Sequence, residues 1–389
     1  MASWSAGSNT RSKVASSFHF ANFPFPIDSA KLRNLGRMNG NEMNRPRVLF
    51  AILDWGMGHA SRSAPLIAHA LRQNWEVHIA SKGTALAFLQ SQFQSPGIVF
   101  HKKPGPDIRY ARRGNLIKIA LQVPAFLSSI KAEEYWTKSL VSRHNITHIV
   151  SDNCYGVSHP SVPAALISHQ LQLPVPFPLR KLAKAFVIRQ ARRFQAVWVP
   201  DTADFALSGK LAAANTLDHQ VAIGVLSRLP LDCEQGKWKR VGMVSGPEPH
   251  RSLMEKALKA WILSDNSPGL LIAGRPNGQI EQQDNLTIWP NPTPEELSSA
   301  LRGAQTVVCR SGYSSLLDLA ALGKPAILVP TPGQPEQLQL AAFWKQRWGM
   351  AVLTQSDLEN GLVPPTTGTI DSYEPNVLAS AVLQAFVTH

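Results

Sequence analysis

"VVCRSGYSSLLDLAALGKPAILVPTPGQPEQLQLAAFW", Val307 to Trp344, decides the fold. An apolar run ends at Arg310-Ser311-Gly312, and Leu and Ala at helical spacing follow at once. A second apolar run, PAILVP, comes after Gly323, and another helical segment opens behind Pro335. Strand, glycine turn, helix and strand in that order mark a parallel α/β layer. The first turn presents helix N-terminal N–H groups, which favour anions. Asp318 stands alone on an otherwise apolar helix and needs a partner. A ligand diol is one, since a carboxylate accepts from both hydroxyls, and a Lys or Arg at the core edge is another. Prolines stiffen PTPGQPEQ, a loop that displays Gln334, Glu336 and Gln337, side chains suited to sugar hydroxyls.

Working outward, the alternation runs from Arg47 almost to the end of the chain. RVLFAIL, EVHIAS, GIVFHK, ITHIVSDN, PAALISH and AVWVPD read as strands, with helical spacing between several of them. Runs such as THIV are apolar on both faces, as buried parallel strands are. A second series starts at VGMVSGPEP and continues through GLLIAG, LTIW, TVVCRSG and PAILVPT, with helices between. The Pro-, Gly- and charge-rich stretch from about 218 to 239 reads as a linker. The expectation is α/β: two Rossmann-like parallel-sheet domains facing across a cleft, over 45–222 and 223–374, then a C-terminal helix over 375–389. Ligands of such folds lie at the carboxyl ends of the strands.

The loop after the first strand is LDWGMGHASRS, Leu53 to Ser63. A dinucleotide fingerprint would need a third glycine where Ser61 stands, and an acidic residue after the second strand, where Ser81-Lys82 stand. Lys82 leaves room for a 2′-phosphate, and a tight turn with no ligand is a further alternative. The functional reading is that Gly56 and Gly58 open the backbone to the cleft. His59 then stands at its mouth, Asp54 at the strand end and Arg62 three residues along the helix. A histidine, with an ordinary pKa of ~6.5, suits the removal of a proton from a hydroxyl. Asp54 either orients His59 or caps the turn. Asp152 and Asn153 close the strand THIVSDN, and His169 in ISHQL borders the same edge. His59 is the leading candidate for general base and Asp152 the second; His169 lines the cleft or is a satisfied core histidine. In the second series, VSGPEPHRS places Gly246 between strand and helix beside Arg251, which suits a diphosphate.

Composition narrows the class. The 389 residues carry 39 Lys and Arg against 26 Asp and Glu, a net charge of +13. Such a surface attracts anions. No Arg-rich run interleaved with aromatics points to nucleic acid. YARRGNLIKIALQVPAFLSSIKAEEYW joins Arg109, Arg112, Arg113, Lys118 and Lys131 to an apolar middle, which suits the face of a bilayer; an ordinary packed helix is the alternative. Cys154, Cys233 and Cys309 show no ligand spacing, so neither a disulfide framework nor structural zinc is expected, and a reducing cytoplasm fits. Residues 1–44 are rich in Ser, Asn, Phe and Pro and lack a secretory core. They read as a disordered extension or as the product of a start assigned too early, with Met38 or Met43 the true one.

GAQTVVCRSG…LLDLAALGKPAILVP…Q resembles the C-terminal domain of family 28 glycosyltransferases over about fifty residues. GMGHASR is similar to the N-terminal glycine loop of that superfamily, and VSDNCYG and ISHQL to a less-studied bacterial branch. The resemblance implies the GT-B fold, no metal or other cofactor, and a UDP-sugar donor on the second domain. It implies that Asp318 stands at the ribose position, usually Glu. It places Arg310, Ser311 and Gly312 at the turn facing the phosphates, with Arg228 as a further phosphate contact. Gln334, Glu336 and Gln337 fall in the donor-sugar loop, where the family's adjacent Gln pair is spread out. SGPEP replaces the expected glycine-rich loop, which argues against the lipid II-forming enzyme of the family. The implied activity is inverting transfer of a hexose or N-acetylhexosamine to a cell-envelope or lipid-linked acceptor. The setting is the cytoplasm, or the cytoplasmic face of the inner membrane as a peripheral protein. A nucleotide-sugar hydrolase or epimerase, or a non-catalytic membrane-recruiting subunit, is the alternative.

Overall fold

The computed structural model of the chain describes residues 45–388, apart from 106–115, 174, 176, 214–216 and 276–277. The expectations for 1–44, for Arg109, Arg112 and Arg113, and for the side chain of Lys118 lie outside these described residues.

Seven parallel strands form the first sheet: β1 (Arg47–Ile52), β2 (Glu76–Ser81), β3 (Ile98–Lys102), β4 (His148–Asp152), β5 (Ala164–Ile167), β6 (Ala196–Val199) and β7 (Gln220–Ala222). Helices α1 (Met57–Arg72), α2 (Gly83–Gln92), α3 (Leu116–His144) and α4 (Arg180–Ala191) cover it. On β1, Val48, Phe50 and Ile52 share a core with Leu66 and Ile67 of α1. Leu49 and Ala51 face the other way, onto Ile130 and Leu140 of α3 and Val187 of α4. Alternate strand residues point to opposite faces, so a strand covered on both sides must be apolar throughout. The strand order is β3-β2-β1-β4-β5-β6-β7. It reverses between β1 and β4, which opens a crevice at their carboxyl ends. Ile52 and Asp152 are register partners there.

The second sheet has the order β10-β11-β9-β8-β12-β13. Its strands are β8 (Arg240–Met243), β9 (Gly269–Ile272), β10 (Glu281–Gln283), β11 (Leu286–Trp289), β12 (Thr306–Cys309) and β13 (Ile327–Leu328), with β10 antiparallel to β11. The helices are α5 (His250–Leu263), α6 (Pro294–Gly303), α7 (Tyr313–Leu322), α8 (Pro335–Trp348), α9 (Gln355–Glu359) and α10 (Val377–Thr388). Thr293 and Glu296 start α6 with a reciprocal capping box, and Gly323 in the left-handed region ends α7. This sheet reverses between β8 and β12, which puts Gly246 and Gly312 on one edge. The chain therefore has the expected α/β class: two parallel-dominated sheets, one after the other.

Four elements escaped the sequence, among them the short β10 and α9. The stretch read as a linker begins with β7, a three-residue edge strand paired to β6 and too short for its period to show. Helix α4 buries only Val187 and Ala191, so its apolar face is too narrow to stand out among six nearby Lys and Arg. Helix α10 returns to the first sheet: it packs on α1, and the ring of Phe386 meets Trp198 edge-on at 5.2 Å and His148 at 5.5 Å. Val382, Leu383, Phe386 and Val387 are buried there, at roughly 1.5–3 kcal/mol for each large apolar side chain.

Away from the crevice, His78 of β2, His101 of β3 and His144 of α3 lie with ring centroids 5.0–5.2 Å apart. Nδ1 of His78 is 2.9 Å from Nε2 of His101, and Glu76 accepts from its other nitrogen at 3.0 Å. Burial, and then the neighbouring imidazoles and Arg143, push His101 down to about 4. The unfolded chain takes up these protons first, at ~6.5. Stability is thus complete above that pH and is lost as the pH falls towards 4. The urea midpoint is expected to drop between pH 7.5 and pH 5, and His101→Gln to flatten that drop. Equal pH dependence in the two proteins would contradict this account.

Candidate functional site

The glycine loop answers its own question. Gly56 caps α1 with φ 79°, a conformation that only glycine adopts without strain, and a Cβ there would meet open space. Gly58 is required for room: a Cβ would lie 3.0 Å from Oγ of Ser314, which donates to the Gly58 carbonyl at 2.8 Å. The group that comes close is the start of α7, from the opposite domain. Asp54 turns away from His59 and caps α2, accepting from the Ala85 N–H at 3.0 Å and the Thr84 hydroxyl at 3.1 Å.

On α1, His59, Arg62 and Ser63 stand at i, i+3 and i+4, hence on one face. That face meets Asp152 at the end of β4. Nδ1 of His59 is 2.8 Å from Oδ1, Arg62 donates to both carboxylate oxygens, and Ser63 donates to Oδ2 at 2.9 Å. Burial opposes ionisation of Asp152, but Arg62 and His59 outweigh it and hold the carboxyl far below its ordinary range. Asp152 is 1% exposed. With its acceptor sites filled, it is no base for an incoming hydroxyl, which removes the second candidate from that role. Nδ1 of His59 also lies 2.8 Å from Nη2 of Arg62; in the tautomer whose Nδ1 hydrogen goes to the carboxylate, Nε2 is the acceptor, and it has no partner among the described residues. Asn153 adopts φ 54°, tolerated by Asn, and its Oδ1 is buried without a partner.

His169 stacks on Tyr313 of α7, with centroids 4.0 Å apart and planes 4° apart. Its Nδ1 is 3.0 Å from Nη1 of Arg62 and its Nε2 is 2.8 Å from Glu336, at the start of α8. Burial lowers the basicity of His169 although Glu336 opposes it. The Tyr313 hydroxyl donates to the Pro200 carbonyl at 2.7 Å. Sequence reasoning missed Ser63, Tyr313, Ser314 and Ser227; only Ser63 was detectable, by its helical spacing from His59.

In the second domain, Asp318 meets neither Lys nor Arg directly. Its Oδ1 accepts from the Ser227 hydroxyl at 2.6 Å, and Oδ2 has no partner among the described residues. Burial pushes this carboxyl up to about 6, against the pull of Ser227 and Arg228. Nε and Nη1 of Arg228 are buried without partners, with the guanidinium 5.5 Å from the Phe88 ring centroid. Gly246 has φ 96°, and a Cβ there would stand 3.3 Å from Oγ1 of Thr331 and 3.9 Å from Nε of Arg310. Both of those atoms are buried and unpartnered. Such orphans call for a ligand or water. Gly312 caps α7 with open space at its Cβ.

Two arginines are placed differently from expectation. Arg310 is fully buried, donating to the carbonyls of Val329, Pro330 and His250 and to Gln355, so it knits the strand ends together. Arg251 donates to the carbonyls of Ala273 and Gly274. Ser311 donates to the Gln337 carbonyl at 2.8 Å, while Gln337 accepts from the Thr331 N–H at 2.8 Å and donates to Gln334 at 2.6 Å. These residues hold the loop in shape. Among the described residues no group of three or more His, Cys, Asp and Glu is placed to hold a metal ion.

Residues 280–364 match the model of the glycosyltransferase family 28 C-terminal domain. The chain is 30% identical over 138 residues to the UDP-N-acetylglucosamine–N-acetylmuramyl-(pentapeptide) pyrophosphoryl-undecaprenol N-acetylglucosamine transferase of Pseudomonas paraeruginosa, covering 34% of this chain and 38% of that protein. Its counterpart in Chlorobaculum tepidum is 42% identical over 64 residues, 16% of this chain and 17% of that one. The chain thus matches well under half the length of these relatives. Among solved structures, the calicheamicin glycosyltransferase CalG4 superposes with a TM-score of 0.57 at 12% identity, covering 82% of this chain and 88% of that one. The spinosyn rhamnosyltransferase SpnG gives 0.56 at 15%, covering 88% and 96%. The chain has the GT-B fold of these structures, and the stretch 280–364 of its second domain is similar to the C-terminal domain of family 28 glycosyltransferases.

Proposed function

We propose that the chain is an inverting glycosyltransferase that moves a sugar from UDP to an acceptor hydroxyl without a metal ion. One observation carries the reading: the His59–Asp152 pair presents an unpartnered Nε2 at the crevice, opposite the start of α7. His59 takes the proton from the acceptor hydroxyl as its oxygen attacks the anomeric carbon, and UDP leaves from the other side. Asp152 fixes the tautomer and steadies the imidazolium that forms. The N-termini of α7 and α5, with Arg228 and the unpartnered Arg310 Nε and Thr331 Oγ1, meet the charge that grows on the leaving diphosphate. The open Oδ2 of Asp318 accepts from the ribose. Gln334 and Glu336 border the sugar, and Gln337 braces their loop through Thr331 and Gln334. The acceptor rests on the unit over 45–222 and the donor on the unit over 223–374.

Calorimetric titration with UDP, with and without magnesium, tests the donor site. Binding is expected to ignore magnesium, to weaken about tenfold or more in Asp318→Ala, and to weaken as the pH falls through about 6, where Asp318 becomes protonated and loses an acceptor. Unchanged affinity in that variant would refute the ribose assignment.

The acceptor is proposed to be lipid-linked and the protein peripheral at a cytoplasmic membrane face. Leu179 and Leu182 are exposed beside Arg180 and Lys181, next to exposed Leu127, Lys131 and Tyr135 of α3. Phe126 and Phe186 join the two helices. Apolar side chains ringed by cations suit an anionic bilayer. Sedimentation with anionic vesicles is expected to be reduced by Leu179→Ser with Leu182→Ser; equal binding of that variant speaks against this surface.

A further inference from the structure

His169 is bonded through both ring nitrogens to partners in different domains. Arg62 only donates, so Nδ1, 3.0 Å from Nη1 of Arg62, is the acceptor, and the ring hydrogen sits on Nε2. That hydrogen goes to Glu336 on the donor side, 2.8 Å away. The ring face is held as well, against Tyr313 of α7.

We propose that His169 is a positioning residue that couples closure of the cleft to the setting of the base, by bridging Arg62 to Glu336 when the two domains meet. The inference rests on the function proposed above and deepens it. When the donor domain swings away, Nε2–H loses its acceptor and the ring loses its stack. Arg62 still selects the Nε2–H form, but that hydrogen has lost its acceptor and the ring is free to turn away from Arg62. Arg62 is buried, and a buried donor that loses its acceptor must move. Its remaining nitrogens hold both oxygens of Asp152, and Asp152 holds His59. Closure therefore completes a chain of hydrogen bonds from Glu336 through His169, Arg62 and Asp152 to the imidazole that receives the proton. In the open state the base is loosely held, which protects a bound donor from attack by water before an acceptor is enclosed.

Two measurements on the full chain test this. The first is the nitrogen-15 spectrum of histidine-labelled protein, which reports the tautomer without any turnover. The wild type is expected to show the Nε2–H form of His169 with Nε2 hydrogen-bonded, Glu336→Gln to keep that signal, and Glu336→Ala to shift and broaden it as the ring turns. The second is kinetics of His169→Ala and His169→Gln. The alanine variant is expected to lose about 10–100-fold in kcat, the range of a misplaced reacting group, with little change in donor KM. The glutamine amide offers an acceptor and a donor at nearly the imidazole spacing, so it should recover most of the rate. A His169 signal indifferent to Glu336→Ala overturns the inference, as does a kcat for His169→Ala within about twofold of wild type, or a glutamine variant as slow as the alanine one. If the wild type turns over no UDP-sugar, the functional reading fails, and the spectrum alone decides the coupling.

Discussion

Replacing His59 by alanine is expected to cut kcat by about 10²–10⁴-fold, the range for a lost general base, while UDP binds as before. The two effects separate because the donor rests on the second domain and the imidazole stands on the first. Stability should barely change: His59 is partly exposed, and its loss leaves Asp152 still paired with Arg62 and Ser63. A variant with near wild-type kcat would send the search for the base elsewhere.

Asp152→Ala is expected to behave differently, because the same deletion is also structural. Arg62 is 2% exposed and Asp152 1%, so the carboxylate compensates a charge that has no water to turn to. Removing one partner of such a pair costs about 3–5 kcal/mol, far more than the intact pair contributes. Ser63 loses its acceptor as well. The urea midpoint should fall sharply, and the surviving folded fraction should be nearly as slow as His59→Ala, since the imidazole is left without its orienting partner. The double variant should be little slower than either single one, as for groups acting as a unit. Additive losses in kcat would mean that the two side chains work independently. A midpoint within about 1 kcal/mol of wild type would mean that Arg62 finds another anion.

What could be read in the sequence and what could not have a common cause. Strand-glycine-helix punctuation is local, so the turns at Gly56, Gly246 and Gly312 were visible, as were nearly all the strands around them. His59 and Asp152 were both singled out, yet as rivals. They lie 93 positions apart, and only the pairing of β1 with β4 brings them to 2.8 Å. Arginine gave the poorest guidance. Arg310 and Arg251 looked like phosphate ligands because they follow strands, but their geometry commits most of their donors to backbone carbonyls. Arg228, taken as a phosphate contact from the family resemblance, has buried donors to spare. Residue type announces that a cation is present; the surrounding carbonyls determine whether it is free. The bridge from Glu336 to His169 was beyond reach, since it joins two domains that the sequence describes one at a time.

The returning helix α10 has a consequence for how the chain is made. It covers part of the first sheet's core, against α1 and Trp198, yet it is translated roughly 165 residues after β7. At ~5–20 residues per second, a nascent first domain waits on the order of ten to thirty seconds with an apolar flank uncovered. It leaves the ribosome as an unfinished body, open to chaperones and to other growing chains. A nonsense codon before residue 377 would leave that flank bare for good, so truncated product should turn up among aggregates even though every strand and both halves of the cleft have been synthesised.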